Sequence, residues 1–239
     1  MVPVRSELEA AFVLHRRPYG ETSLIVDFLT LGQGRLSTVA KGAGRSGSRW
    51  QADLQPFHPL RISWSGRRPL KTLTGAEATA SALGLNGNQL FCGFYLNELL
   101  QRLLSESEPA PLLFSAYLDA LEQLAHSEVA MEPVLRRFEQ HLVRELGFGI
   151  SWTQTTDTEA GVRADGVYGF DPGRGVLEQS RGVLSAIPGW QLRALSEDRL
   201  EDPQVLKTAK QLMRRLIDHL LQGRPLHSRR LFSQQGAQQ

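Results

Sequence analysis

Cysteine is nearly missing from this chain of 239 residues. Cys92 stands alone, which excludes an intramolecular disulfide and any zinc site built from several thiolates. Six histidines are present, yet none falls in an H-x-x-x-H or H-E-x-x-H spacing, so no helix-borne metal pair is encoded. A G-x-S-x-G elbow, a Walker A sequence and a carboxylate-rich cluster are all lacking. No apolar run approaches the roughly 18 residues of a membrane span, and the N-terminus has no apolar signal core. These absences point to a cytoplasmic protein without membrane segment, cofactor, metal or recognisable catalytic set. What remains is ordinary for a globular chain: 41% hydrophobic and 22% charged residues, enough for a real core.

A more local absence is that of acids between Thr30 and Gly75. That stretch holds Arg35, Lys41, Arg45, Arg49, Arg61, Arg67, Arg68 and Lys71 against the single acid Asp53, in a chain whose net charge is only +2. Trp50, Phe57 and Trp64 are interleaved with the cations. Cations meet phosphates and rings stack on unpaired bases, so the pattern suits a nucleic-acid strand. Lys and Arg on a sheet edge also discourage edge pairing, which is the plainer reading. The missing counter-charge favours binding, with Arg35, Lys41, Arg45, Arg49, Trp50, Arg67, Arg68 and Lys71 as the candidate contacts. Beyond residue 80 the balance reverses, so a basic module is joined to a near-neutral or acidic body.

In chain order, Glu9 to Arg17 and Ser23 to Leu29 alternate as strands around a Pro18-Tyr19-Gly20 break. Arg35 to Lys41, Leu60 to Ser65 and Leu70 to Thr74 make three more. Five short strands with no crossover helix predict a closed antiparallel barrel, best fitted by the OB-fold. Gly42, Gly44 and Gly47 spell G-x-G-x-x-G after a strand, but the polar SRWQADLQP that follows opens no apolar helix. A flexible basic loop, whose backbone N–H groups can approach a phosphate, fits better than a dinucleotide site.

From Leu83 the period changes to 3.6. Asn88 is placed as the cap of a helix bearing Cys92, Leu96, Leu99 and Leu103 on one face, with Cys92 as a small core hydrophobe. Pro111 opens a second helix with Leu121 and Leu124 on its apolar stripe. Glu132 to Leu146 is a third, stopped at Gly147, with Arg136, Arg137 and Arg144 opposite its apolar face. Asp202 and Pro203 start a fourth that ends before Gly223. Between them, Ser151 to Leu184 is polar and carries one hairpin around Asp171-Pro172-Gly173-Arg174. The predicted fold class is α+β: an OB barrel over residues 1–80 and a mainly helical domain over 81–239, with 150–185 as a hairpin-bearing insertion.

Several colinear segments resemble the RecO family of bacterial recombination mediators. They include AFVLHRRPYGETSLIVDFLT (Ala11 to Thr30), VAKGAGR (Val39 to Arg45), LQPFHPLRISWSG (Leu54 to Gly66), YLNELLQRLL (Tyr95 to Leu104), LRRFEQHLVRELGFG (Leu135 to Gly149) and GRPLHSRRLF (Gly223 to Phe232). The resemblance implies an N-terminal OB-fold and a helical body. It also implies binding of single- and double-stranded DNA, strand annealing, and work with RecR to load RecA at the nucleoid. It further implies that the body binds the acidic C-terminal tail of single-stranded-DNA-binding protein. Arg136 matches the family position in LRRFE; Arg137 beside it, and Leu121 and Leu124 on the preceding helix, complete the expected tail site. Many members carry four zinc-binding cysteines after the GFG turn; Ser151 to Leu184 has none, so that zinc site is not expected here. Without the resemblance, an RNA-binding OB protein of translation or ribosome assembly, or a hydrolase, would stay open.

Overall fold

The computed structural model describes residues 8–48, 50–126, 128–178 and 184–235. The chain forms two compact units, Met1–Val129 with Leu226–Gln239, and Ala130–Pro225.

The first unit is built on a closed barrel of β1 (Glu9–Tyr19), β2 (Ser23–Thr30), β3 (Gly34–Ala40), β4 (Leu60–Ser65) and β5 (Lys71–Ala78), with a four-residue helix α1 (Trp50–Asp53) between β3 and β4. The strand order is β1-β2-β3-β5-β4, all neighbours antiparallel except β3 and β5. This is the OB-fold arrangement that the strand count predicts. Alternation sends Val13, Val26, Phe28, Leu36, Ile62 and Leu73 into the barrel, where all are buried. A bulge between Val13 and His15 reverses the facing of β1 beyond it.

Two strands run further than their composition indicates. β1 continues through Pro18 to Tyr19, and among the described residues its upper half pairs with β2 alone. Proline is tolerated there because its nitrogen faces no further strand. β5 continues through Gly75, Ala76, Glu77 and Ala78, poor strand formers held by pairing along the whole of β4.

Helices α2 (Gly87–Leu103) and α3 (Pro111–Ala125) pack in this same unit, α2 against both β1 and α3. The cap of α2 is Asn86 rather than Asn88, and its N–H donates back to the Gln89 side chain at 3.4 Å. Pro111 stands at the first turn of α3, as its fixed φ favours.

The second unit holds α4 (Met131–Glu145), a three-stranded antiparallel sheet, α5 (Gly189–Ser196) and α6 (Pro203–Leu221). Its strands are β6 (Val167–Asp171), β7 (Gly175–Leu177) and β8 (Leu184–Pro188), in the order β7-β6-β8. The predicted hairpin is therefore two strands of three. The third strand and α5 are too short to stand out by periodicity. Phe170, Leu192, Leu212 and Leu216 lie in one fully or almost fully buried core. Asp202 caps α6 by accepting from the N–H groups of Gln204 and Val205. A last helix, α7 (Arg229–Gln235), belongs to the first unit.

Candidate nucleic-acid interface

The cations of the barrel divide into those drawn into the fold and those whose side chains are exposed. Arg35 is internal. Its Nε donates to the Leu104 carbonyl at 2.9 Å, and a terminal nitrogen lies 3.3 Å from the Glu106 carboxylate. The Ser107 N–H returns to the Arg35 carbonyl at 2.8 Å. Ser37 donates its hydroxyl toward both Asp27 (2.6 Å) and Glu106 (2.8 Å), and Gln101 donates to Asp27 at 2.8 Å. The lower half of the outer β2–β3 face is thus covered by the chain's own segment 101–108. Gly34 permits the approach: at φ +64, an added Cβ would lie 1.8 Å from the Glu108 carbonyl oxygen. On OB barrels the β2–β3 face and the β1–β2 and β4–β5 loops take up oligonucleotides. On the upper part of that face Arg17, Tyr19 and Lys41 are exposed and Ser23 and Val39 half-buried, around a buried Ile25.

Lys41 and Arg45 lie exposed on the loop after β3, and Arg67 and Arg68 on the β4–β5 loop. Lys71 is half-buried at the start of β5, paired with Thr38. Gly42 and Gly47 take φ +74, and the Gly44 N–H is fixed on the Thr22 carbonyl at 2.9 Å, so the basic loop is held against the β1–β2 turn. Arg49 lies outside the described residues. Trp50 corrects the sequence reading: with 8% of its surface exposed it packs in the barrel core, as does Trp64, and Phe57 is buried too. An indole spent on the core is not open to stack on a base. Of the interleaved rings only Trp64 owes its inward facing to strand alternation; Trp50 on α1 and Phe57 between α1 and β4 turn into the fold while the loop cations stay exposed.

Composition also passed over the upper half of β1. His15, Arg17 and Tyr19 alternate there and are exposed, Tyr19 by 49%. The signal was the period of two in HRRPY, obscured by a proline that reads as a strand end.

For the expected tail site, the structure places Leu121 and Leu124 in the first unit, both fully or almost fully buried, so neither presents a surface to a ligand. Arg136, expected on the solvent face of α4, is 6% exposed and ion-paired at 2.9 Å with Glu139, itself wholly buried. The sequence missed this because i, i+3 spacing turned both charges inward on an otherwise amphipathic helix. Arg137 is half-buried and paired with Asp198 (2.6 Å) and Glu201 (3.2 Å), and Arg144 is exposed in the last turn of α4.

The segment after α4 has neither cysteine nor histidine, and among the described residues no cluster of His, Cys, Asp or Glu suits a metal. Hydroxyls hold it instead. Thr155, 2% exposed, shares a 2.9 Å bond with Thr158, donates to the Ala160 carbonyl at 3.2 Å and accepts from the Ala160 N–H. Thr156 donates to the Val176 carbonyl at 2.9 Å. No described helix is long and apolar enough to cross a membrane.

Two family models match the chain: that of the Recombination protein O N terminal over residues 5–82, and that of the Recombination protein O C terminal over 85–230. Among curated proteins, the DNA repair protein RecO of Marinobacter nauticus is 45% identical over 229 residues, 94% of this chain and 93% of the relative. That of Methylococcus capsulatus is 43% identical, covering 96% of this chain and 94% of its own. That of Hamiltonella defensa is 42% identical, covering 93% and 95%.

Proposed function

Because the chain belongs to the recombination protein O family, we propose that it acts in DNA repair as a mediator that binds single- and double-stranded DNA through its barrel and anneals complementary strands. With RecR it would then help to load RecA onto DNA coated by single-stranded-DNA-binding protein, without catalysis of its own, in the cytoplasm at the nucleoid. The observation that carries the DNA-binding part is the set of exposed cations on two barrel loops, Lys41, Arg45, Arg67 and Arg68. Contacts of this kind are to phosphate and read little sequence, as annealing of arbitrary strands requires. For the tail of single-stranded-DNA-binding protein, Arg137 is the cation of the expected site that a carboxylate reaches by displacing only exposed acids. Surface pairs of that sort are worth about 0–1 kcal/mol.

Four phosphate contacts give log affinity for single strands a slope of about −3 against log salt, a loss of about fiftyfold between roughly 50 and 200 mM. Fluorescence anisotropy with an oligothymidylate checks this. Changing Lys41, Arg45, Arg67 and Arg68 together to Ala should flatten most of the slope and abolish annealing. An unchanged slope moves the interface elsewhere. Tighter binding of a matched RNA would turn the proposal toward translation instead.

A further inference from the structure

We propose that Tyr19 is the platform on which an unpaired base of the bound strand stacks, flanked by Arg17 and Lys41 on its phosphates. This rests on the DNA-binding reading above and assigns the strand its path across the barrel.

Three observations converge on the upper outer face of β1–β2–β3. The first is register. Arg17 stands opposite Ile25, which stands opposite Val39; Tyr19 stands opposite Ser23, one residue beyond the Leu24–Ala40 pair. Leu24, Val26, Phe28 and Ala40 pack in the barrel core, so their neighbours Ser23, Ile25 and Val39 belong to the outer face. After the β1 bulge, Arg17 and Tyr19 share it, and Lys41 follows Val39 by two residues. Across β2 that sets Tyr19 and the Lys41 position about 10 Å apart, and Arg17 about 7 Å below Tyr19 along the strand. The ring thus stands at a corner, with one cation about 7 Å along its strand and another about 10 Å across the sheet, distances that a nucleotide and its phosphates can span.

The second observation is exposure. Phe12, Phe28, Trp50, Phe57 and Trp64 are all buried, so among the described Phe, Tyr and Trp residues of the barrel Tyr19 alone is exposed; the smaller His15 imidazole is exposed further down the same strand. It is carried on a paired strand, which fixes the backbone beneath it, and Gly20 at φ +63 turns the chain away with nothing within 4 Å of its added Cβ. A rigid, half-exposed ring with open space beside it is what base stacking needs.

The third is closure of the alternative route. The lower half of the same face is sealed by Glu106 on Arg35 and Ser37, and by Gln101 on Asp27. A strand crossing β2–β3 must therefore pass over the upper half, by Arg17, Tyr19 and Lys41. Glu21, exposed in the β1–β2 turn, disfavours a phosphate beyond Tyr19 and limits that edge to a single base.

The test uses the full chain with an oligothymidylate and a matched duplex. Tyr19→Phe should bind the single strand like wild type, and Tyr19→Leu should bind it about tenfold more weakly at an unchanged salt slope, since no charge is removed. Duplex affinity should change less than about twofold, because paired bases do not stack on the ring. Arg17→Ala should lower the slope by about 0.7. Crosslinking of 5-iodouracil-substituted strands to wild type needs no variant, and the modified peptide should contain Tyr19. Equal single-strand affinity for Tyr19→Leu and wild type, or crosslinks confined to other peptides, overturns the assignment of Tyr19 while leaving DNA binding intact. Wild type that binds no single strand overturns both.

Discussion

Arg136 and Glu139 show how a single pair of residues shifts meaning once its burial is known. On a helical wheel they look like a solvated i, i+3 pair worth a few tenths of a kcal/mol. In the fold Glu139 is wholly buried and Arg136 nearly so. The Arg136 Nε finds no hydrogen-bond acceptor among the described residues. A buried ion pair is not itself a large net stabiliser, since desolvation offsets most of the attraction, but removing one partner strands the other charge. Arg136→Ala should therefore cost about 3–5 kcal/mol of unfolding free energy, measured by urea denaturation. Arg136→Met combined with Glu139→Leu should recover most of that loss. Weakened binding of a partner tail in Arg136→Ala alone would then report on stability as much as on contact, whereas Arg137→Ala tests the contact. If Arg136→Ala unfolds at the wild-type urea concentration, the pair is not structural.

At the scale of elements, the junction of α2 with β1 depends on one amide. Asn97, 2% exposed, donates its Nδ2 to the carbonyls of Val13 (3.3 Å) and Leu14 (3.1 Å) at the β1 bulge, and its Oδ1 accepts from the Tyr117 hydroxyl at 2.5 Å. Burial pushes the Tyr117 phenol far above its ordinary range, so it remains a donor at any working pH. Asn97→Ala removes these three buried bonds and should cost about 2–3 kcal/mol, read from the denaturation midpoint at unchanged m-value. A loss of less than about 0.5 kcal/mol would mean that the bulge is held by its neighbours alone. None of this was legible in the sequence, where Asn97 is one polar residue on a helix. Periodicity did place the five strands and the four long helices, because apolar residues spaced by two or by 3.6 leave little choice of face. It could not place α1, α5, β8 or α7, which are short and owe their form to tertiary partners. Arg45, Arg67 and Arg68 were readable as loop cations and Lys41 as the end of a strand, while the internal role of Arg35 was not legible. Its acceptor, Glu106, lies 71 positions further on, and no local pattern announces such a partner.

At the scale of the whole molecule, the chain leaves its first unit at Val129 and returns to it at Leu226. The return is fastened by Glu98 on α2. Its carboxylate accepts from the N–H of His227 (2.9 Å), the N–H of Ser228 (2.8 Å) and the Ser228 hydroxyl (2.7 Å), with Arg102 at 3.3 Å. Phe232 of α7 adds an edge contact to Phe91, ring centroids 6.1 Å apart. Burial works to raise the Glu98 carboxyl, but the bonds from Ser228 and His227 and the charge of Arg102 together outweigh it and hold the group below its ordinary 4.5. Folding therefore favours the ionised form. Above about pH 4.5 the carboxylate is ionised in both the folded and the unfolded chain, and its contribution is complete. As pH falls through that value the unfolded chain takes up the proton first, and the contribution shrinks until the folded carboxyl is protonated too. Glu98→Gln should be less stable than wild type by about 1.5–3 kcal/mol at pH 7, the range for hydrogen bonds to a charged group. The gap should narrow steadily as the pH falls below about 4.5. A Trp152→Phe, Trp190→Phe background leaves Trp50 and Trp64, both in the barrel core, as the fluorescent reporters of the first unit. Urea melts in that background at several pH values give the comparison. A gap that stays constant on acidification would show that Glu98 fastens the C-terminal return by shape and not by charge.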